Sequence, residues 1–142
     1  MILIMLLLAL SDQQPSDLNI DKAGLALDGY DAVSYFLGEP KEGTKFIKTT
    51  YERVTYYFSS EKNKQVFLSD PDKYLPQYGG WCAYAMGLNS EKVKVDPETF
   101  KIVGGKLYLF YNFWGTNTLK PWNENEAALM EGADKNWKKI VE

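Results

Sequence analysis

The sequence predicts an α+β fold in one compact domain, with two antiparallel β-hairpins each followed by a helix. Three observations carry this. Two stretches with alternating apolar residues, "KFIKTTYERVTYYFSS" and "FKIVGGKLYLFYN", each break at a turn in the middle. A segment with helix-start residues follows each of them. Finally, 142 residues with 45% hydrophobic content fit a single domain with its own core.

Taken in order, the chain opens on nine apolar residues, Ile2 to Leu10. A membrane-spanning helix needs ~20, so no stable membrane span is expected. The length suits the apolar core of a signal peptide, with Ala9 and Ser11 as small residues around a cut. An N-terminal strand is the alternative, but the polar, Pro-containing "SDQQPSD" that follows resembles a linker. Residues 1–11 are therefore expected to be a signal-peptide-like segment, 12–24 a linker and 25–142 the domain. The mature chain is expected in the periplasm or outside the cell.

Asp28-Gly29 and Asp31 are turn and cap types beside a short apolar cluster of Ala32, Val33, Tyr35 and Phe36. Two strands then meet near Tyr51 to Arg53, and Val54, Tyr56 and Phe58 share one face of the second. Ser59 and Ser60 are cap types for a helix over "EKNKQVFLSD" that buries Val66, Phe67 and Leu68. Asp70 and Pro71 restart a helical turn, which Pro76 stops. Gly104-Gly105 suits the two-residue turn of the second hairpin. In the C-terminal helix, Asn123 and Glu126 form a capping pair, and Ala127, Met130, Trp137 and Ile140 share a buried face, with Gly132 a weak point.

Composition excludes some chemistry. With no histidine, Ser-His-Asp and Cys-His catalysis are ruled out. Net charge is −3 and the lysines are scattered, so no basic stripe is available for nucleic acid.

Two sets of residues remain as candidate sites. The first is the one cysteine, Cys82, with Met86 four residues on; on one helix face, their thiolate and thioether would make a two-coordinate copper(I) pair. Against it stands plain core packing, since Cys acts as a small hydrophobe and Met fills gaps. The second is a small-molecule pocket. Tyr30, Tyr78, Trp81 and Tyr84 offer ring faces with polar handles, Gly79 and Gly80 leave backbone groups accessible, and Asp31 adds a carboxylate. Core packing competes here too, residue by residue.

Four stretches in register are familiar: "GYDAVSYF" (29–36), "TYYFSSEKNKQVFLSDPDKY" (55–74), "YGGWCAYAM" (78–86) and "FKIVGGKLYLFYN" (100–112). Together they resemble the YHS domain-containing proteins, in particular the small exported single-domain branch. The resemblance implies a treble-clef-like hairpin-and-helix core over roughly residues 25 to 140, and metal binding. Metal-binding members carry cysteines around the start of the helix, in a pattern like F-C-S-x-x-C. Here the matching stretch is "FSSEKN", with Ser59 and Asn63 in those places. The resulting expectation is an exported, non-enzymatic domain that binds a small molecule or metal ion near "GGWCAYAM". The alternative is a thiol-based redox or copper-relay protein acting through Cys82.

Overall fold

The computed structural model describes residues 15–142; the apolar run and the cut expected near Ser11 lie outside them. Both expected hairpins form. Strands β1 (Thr44–Tyr51) and β2 (Val54–Phe58) pair antiparallel, with Glu52 and Arg53 both left-handed in the turn (φ 45° and 69°). Alternation decides which face goes inward: Val54, Tyr56 and Phe58 are buried while Thr55 and Tyr57 are only half-covered. Helix α1 (Glu61–Ser69) follows, capped by the Ser60 hydroxyl, which accepts from the Asn63 amide at 3.1 Å.

Phe67 on α1 is fully buried, ringed by Tyr51, Tyr56, Phe58 and Tyr74 with centroids 4.9–6.4 Å away. Burying such a ring stabilises the fold by about 1.5–3 kcal/mol, which makes it the central residue of this half. Leu68, expected inside, is 43% exposed. Val66 and Phe67 turn toward the core as expected, and Leu68, one residue on, falls on the open side of the helix. Helix α2 (Pro71–Tyr74) starts on its proline as expected.

In the second half, α3 (Ala83–Asn89) precedes β3 (Asp96–Val103) and β4 (Lys106–Phe110). Gly104 and Gly105 make the turn with φ 58° and 75°. A third, tiny hairpin follows that the sequence reading did not foresee: β5 (Asn112–Phe113) and β6 (Thr116–Asn117). Two-residue strands are too short to show any alternation. Helices α4 (Leu119–Glu124) and α5 (Glu126–Val141) close the chain.

The expected capping pair at Asn123 and Glu126 does not form. Asn123 accepts a bond from Lys101 at 2.7 Å, and Asn125 is the residue that precedes α5. Of the expected buried face, Met130, Trp137 and Ile140 pack on the core, and Ala127 does not. Leu129 and Ala133 are buried beside them. Gly132 lies where α5 meets α3. Far from being a weak point, it lets α5 cross α3 at Gly87, where a Cβ on Gly132 would lie 2.8 Å from the Gly87 carbonyl oxygen.

The 12–24 linker expectation meets a folded segment from residue 15 onward. Residues 15–17 form a 3₁₀ turn, and Leu18 and Ile20 pack on the core.

Candidate functional site

Single bridges tie Pro76 to Leu107 and Cys82 to Leu109, so the stretch between them is pinned at both ends along the edge of β4. Five residues lie between the anchors, and the excess chain is taken up as a left-handed turn. Tyr78, Gly79 and Gly80 have φ of 58°, 62° and 86°, closed by the Trp81 amide donating to the Tyr78 carbonyl at 3.1 Å. A second turn of the same hand occurs at Leu27, Asp28 and Gly29, with φ of 59°, 50° and 83°. Glycine enters that region freely, but leucine and tyrosine do so at a cost of about 1–3 kcal/mol each.

Both turns border one cavity of about 80 Å³. Leu18, Val54, Leu75, Val95 and Leu109 supply apolar wall, and Asn19 and Asp28 supply polar groups. Asp28 is exposed and is the one charged side chain along the lining.

The structure uses most of the expected ligand-binding groups internally. The Gly79 carbonyl accepts from the Asn19 amide at 2.9 Å, and the Gly80 carbonyl from Asn19 Nδ2 at 3.0 Å. Trp81 Nε1 donates to the Asp17 carbonyl at 2.6 Å, and Lys92 pairs with the Asp17 carboxylate at 2.9 Å. The segment 17–20 is thus strapped across the glycine turn, and Gly79 has no room for a side chain because a Cβ would meet the Trp137 ring at 2.7 Å.

Tyr78 is buried and donates to Asp134 at 2.7 Å; burial, then that bond, push its phenol pKa up. Tyr30 points elsewhere and donates to Glu98 at 3.1 Å; burial first, then Glu98, raises its pKa. Tyr84 is half-buried between the two halves of the core. Of the expected pocket residues, Gly79 and Gly80 line the cavity. Leu18, Asn19, Ile20 and Leu27 were missed, because single apolar residues in a polar stretch carry no periodic signal. Asp28-Gly29 did give a turn signal, and the turn it makes is the cavity's second border.

Asp31 belongs to a different constellation. Its carboxylate is fully buried and accepts from five donors. Oδ1 takes the Val33 and Ser34 amides at 2.9 and 3.3 Å, as an Asx turn would. Oδ2 takes the Ser59 amide and hydroxyl at 2.9 and 2.7 Å and Asn63 Nδ2 at 2.8 Å. The side chains at the two positions where the resemblance puts cysteines therefore donate protons to a carboxylate. This donor set does not fit zinc or copper(I), which need converging thiolates or imidazoles. A groove of about 440 Å³ opens beside it, lined by Ser34, Lys41, Ser60 and Asn63 among others.

Cys82 and Met86 are both fully buried, but in separate parts of the core. Cys82 Sγ accepts from the Tyr111 amide at 3.3 Å and lies 3.4 Å from the Thr118 hydroxyl. Cys82 is the residue that precedes α3, and its carbonyl accepts from the Met86 amide at 3.0 Å. Among the described residues, no group of three or more His, Cys, Asp or Glu side chains is placed to hold a metal ion. Nor is any helix among them long and apolar enough to cross a membrane.

The family model described as the YHS domain matches residues 37–78, from the end of the turn after Asp31 through β1, β2, α1 and α2 to Tyr78. No curated protein and no solved structure gives a match.

Proposed function

The chain is a YHS domain-containing protein, and from that premise we propose that it is a binding protein whose cavity takes the apolar end of a small amine-bearing molecule. One observation carries the reading: two left-handed turns, each holding a bulky non-glycine residue, border the same cavity. Strain of this kind persists where the surroundings enforce it, and it concentrates at ligand clamps and active sites. The apolar wall selects hydrocarbon, and Asp28 at the polar edge selects a cationic head over an anionic one. Binding is favoured over catalysis because the lining sets no Ser, Thr, Cys, Lys or second carboxylate beside Asp28, and burial holds the phenol of Tyr56, its other ionisable group, protonated. The strap at 17–20 forms one wall, so the ligand contacts the chain's own N-terminal segment. The reading takes the protein as exported, on the strength of the apolar run at 2–10.

The test is a calorimetric or NMR titration with a short alkylamine and the alkanoate of equal chain length. The amine is expected to shift resonances of Val54, Leu75 and Leu109 and to bind more tightly than the acid. Asp28→Asn, which tolerates the same left-handed backbone, should remove the preference and leave the fold intact. Equal binding of both probes, or shifts confined to other residues, defeats the proposal.

A further inference from the structure

The small hairpin β5–β6 ends in a two-residue turn, Trp114-Gly115, with both residues left-handed at φ 56° and 80°. Such turns favour Asn or Gly at the first position, because a bulky side chain there crowds its own backbone. The side chain is also 95% exposed. Phe113 beside it is 39% exposed and stands edge-on to Tyr111, with ring centroids 5.0 Å apart. Phe113 is thus braced from below while the indole projects from the tip. The chain bears backbone strain and holds its largest side chain in water at the same point.

The charge along this part of the sequence is distinctive. From Thr99 to Asn123 the chain has three lysines and no acidic residue, a local balance of +3. The whole chain is at −3, so the remainder carries −6. Lys101 is paired with Glu126, while Lys106 and Lys120 are exposed, Lys120 in the first turn of α4 just after β6.

We propose that this finger docks the protein on an anionic lipid surface, with the Trp114 and Phe113 rings seated at headgroup level. Indole is apolar with one polar N–H, which is why tryptophan collects at membrane–water interfaces. Along the chain the finger sits in a run free of acidic residues, with the exposed Lys106 and Lys120 on either side of it in sequence, and these two cations favour the approach of an otherwise negative molecule to anionic headgroups. Shape favours lipid over a protein partner. A convex tip of two rings needs a pocket moulded to it on a protein, whereas a bilayer interface yields around it. None of these residues lines the cavity, so this surface is independent of the ligand reading.

The experiment is flotation of the full chain with vesicles of phosphatidylcholine alone and of phosphatidylcholine mixed with phosphatidylglycerol. Binding is expected to the mixed vesicles, weakening as salt rises, with a blue shift of tryptophan fluorescence. Trp81, Trp122 and Trp137 are half or fully buried, so Trp114 is the reporter. Trp114→Asn relaxes the turn and removes the anchor, so it should fold and bind about tenfold more weakly or worse. Trp114→Phe should retain part of the affinity and lose the blue shift. Binding unchanged in Trp114→Asn would assign it to the apolar run at 2–10 and overturn the proposal. Absence of binding to the mixed vesicles, or a protein cross-linked through position 114 with no lipid partition, would overturn it as well.

Discussion

Asp31 shows how one residue joins two ends of a domain. An Asp followed by a short apolar cluster reads from sequence as a local turn former, and one of its oxygens does that. The other oxygen bonds residues about thirty positions away, which no local pattern encodes. A buried carboxylate is tolerated because five donors replace its water. Removing it strands those donors in the core, so Asp31→Ala should cost about 3–5 kcal/mol in urea denaturation. Asp31→Asn keeps the volume but turns an N–H₂ toward other donors, and should cost about 1–3 kcal/mol. A midpoint unmoved by either variant would mean that water reaches this network. Cys82 makes the converse point: its size and hydrophobicity were legible, but its acceptor role toward the Tyr111 amide was not.

Gly87 and Gly132 set the crossing of α3 and α5. In an isolated helix, Gly132→Ala would gain about 1 kcal/mol of propensity. Here the added methyl meets the Gly87 carbonyl, while a Cβ on Gly87 would run into the Leu129 carbonyl. Backbone on both sides leaves little room to yield, so each substitution should lower the melting temperature, Gly87→Ala the more. A rise for Gly132→Ala would show that the helices can separate without loss. The hairpins β1–β2 and β3–β4 and helix α1 were readable because alternation, paired glycines and a capping serine are local signals. The crossing was hidden because a glycine's reason lies on the other helix, and the buried Leu129 and Ala133 were missed although Met130, Trp137 and Ile140 were legible. The strap at 17–20 was hidden likewise, since its bonds run to residues 79–81 and Lys92.

Across the whole molecule, ten tyrosines in 142 residues couple stability to alkaline pH. Tyr35, Tyr56 and Tyr78 are at most 5% exposed, and burial pushes the pKa of each well above the ordinary value of 10.0. Tyr51 is pushed up to about 12, chiefly by its bond to Asp72, but it lies at the surface and contributes little. In the unfolded chain all four release their protons near 10; in the folded chain Tyr35, Tyr56 and Tyr78 keep theirs, and Tyr108, 2% exposed, is shifted the same way by burial. A raised folded pKa means full stability below the unfolded value and a loss as pH rises beyond it. Each tyrosine that keeps its proton contributes about 1.4 kcal/mol per pH unit, so the three together give a slope of up to about 4. Neutral to mildly alkaline solution should therefore leave the melting temperature flat, and a steep fall should begin near the ordinary phenol pKa of 10.0. Parallel records of phenolate absorbance and circular dichroism decide the point. The late part of the absorbance rise should coincide with loss of the folded signal. If all ten tyrosines ionised while that signal persisted, the buried rings would be open to water and the packing around Phe67 and Tyr78 would be looser than described.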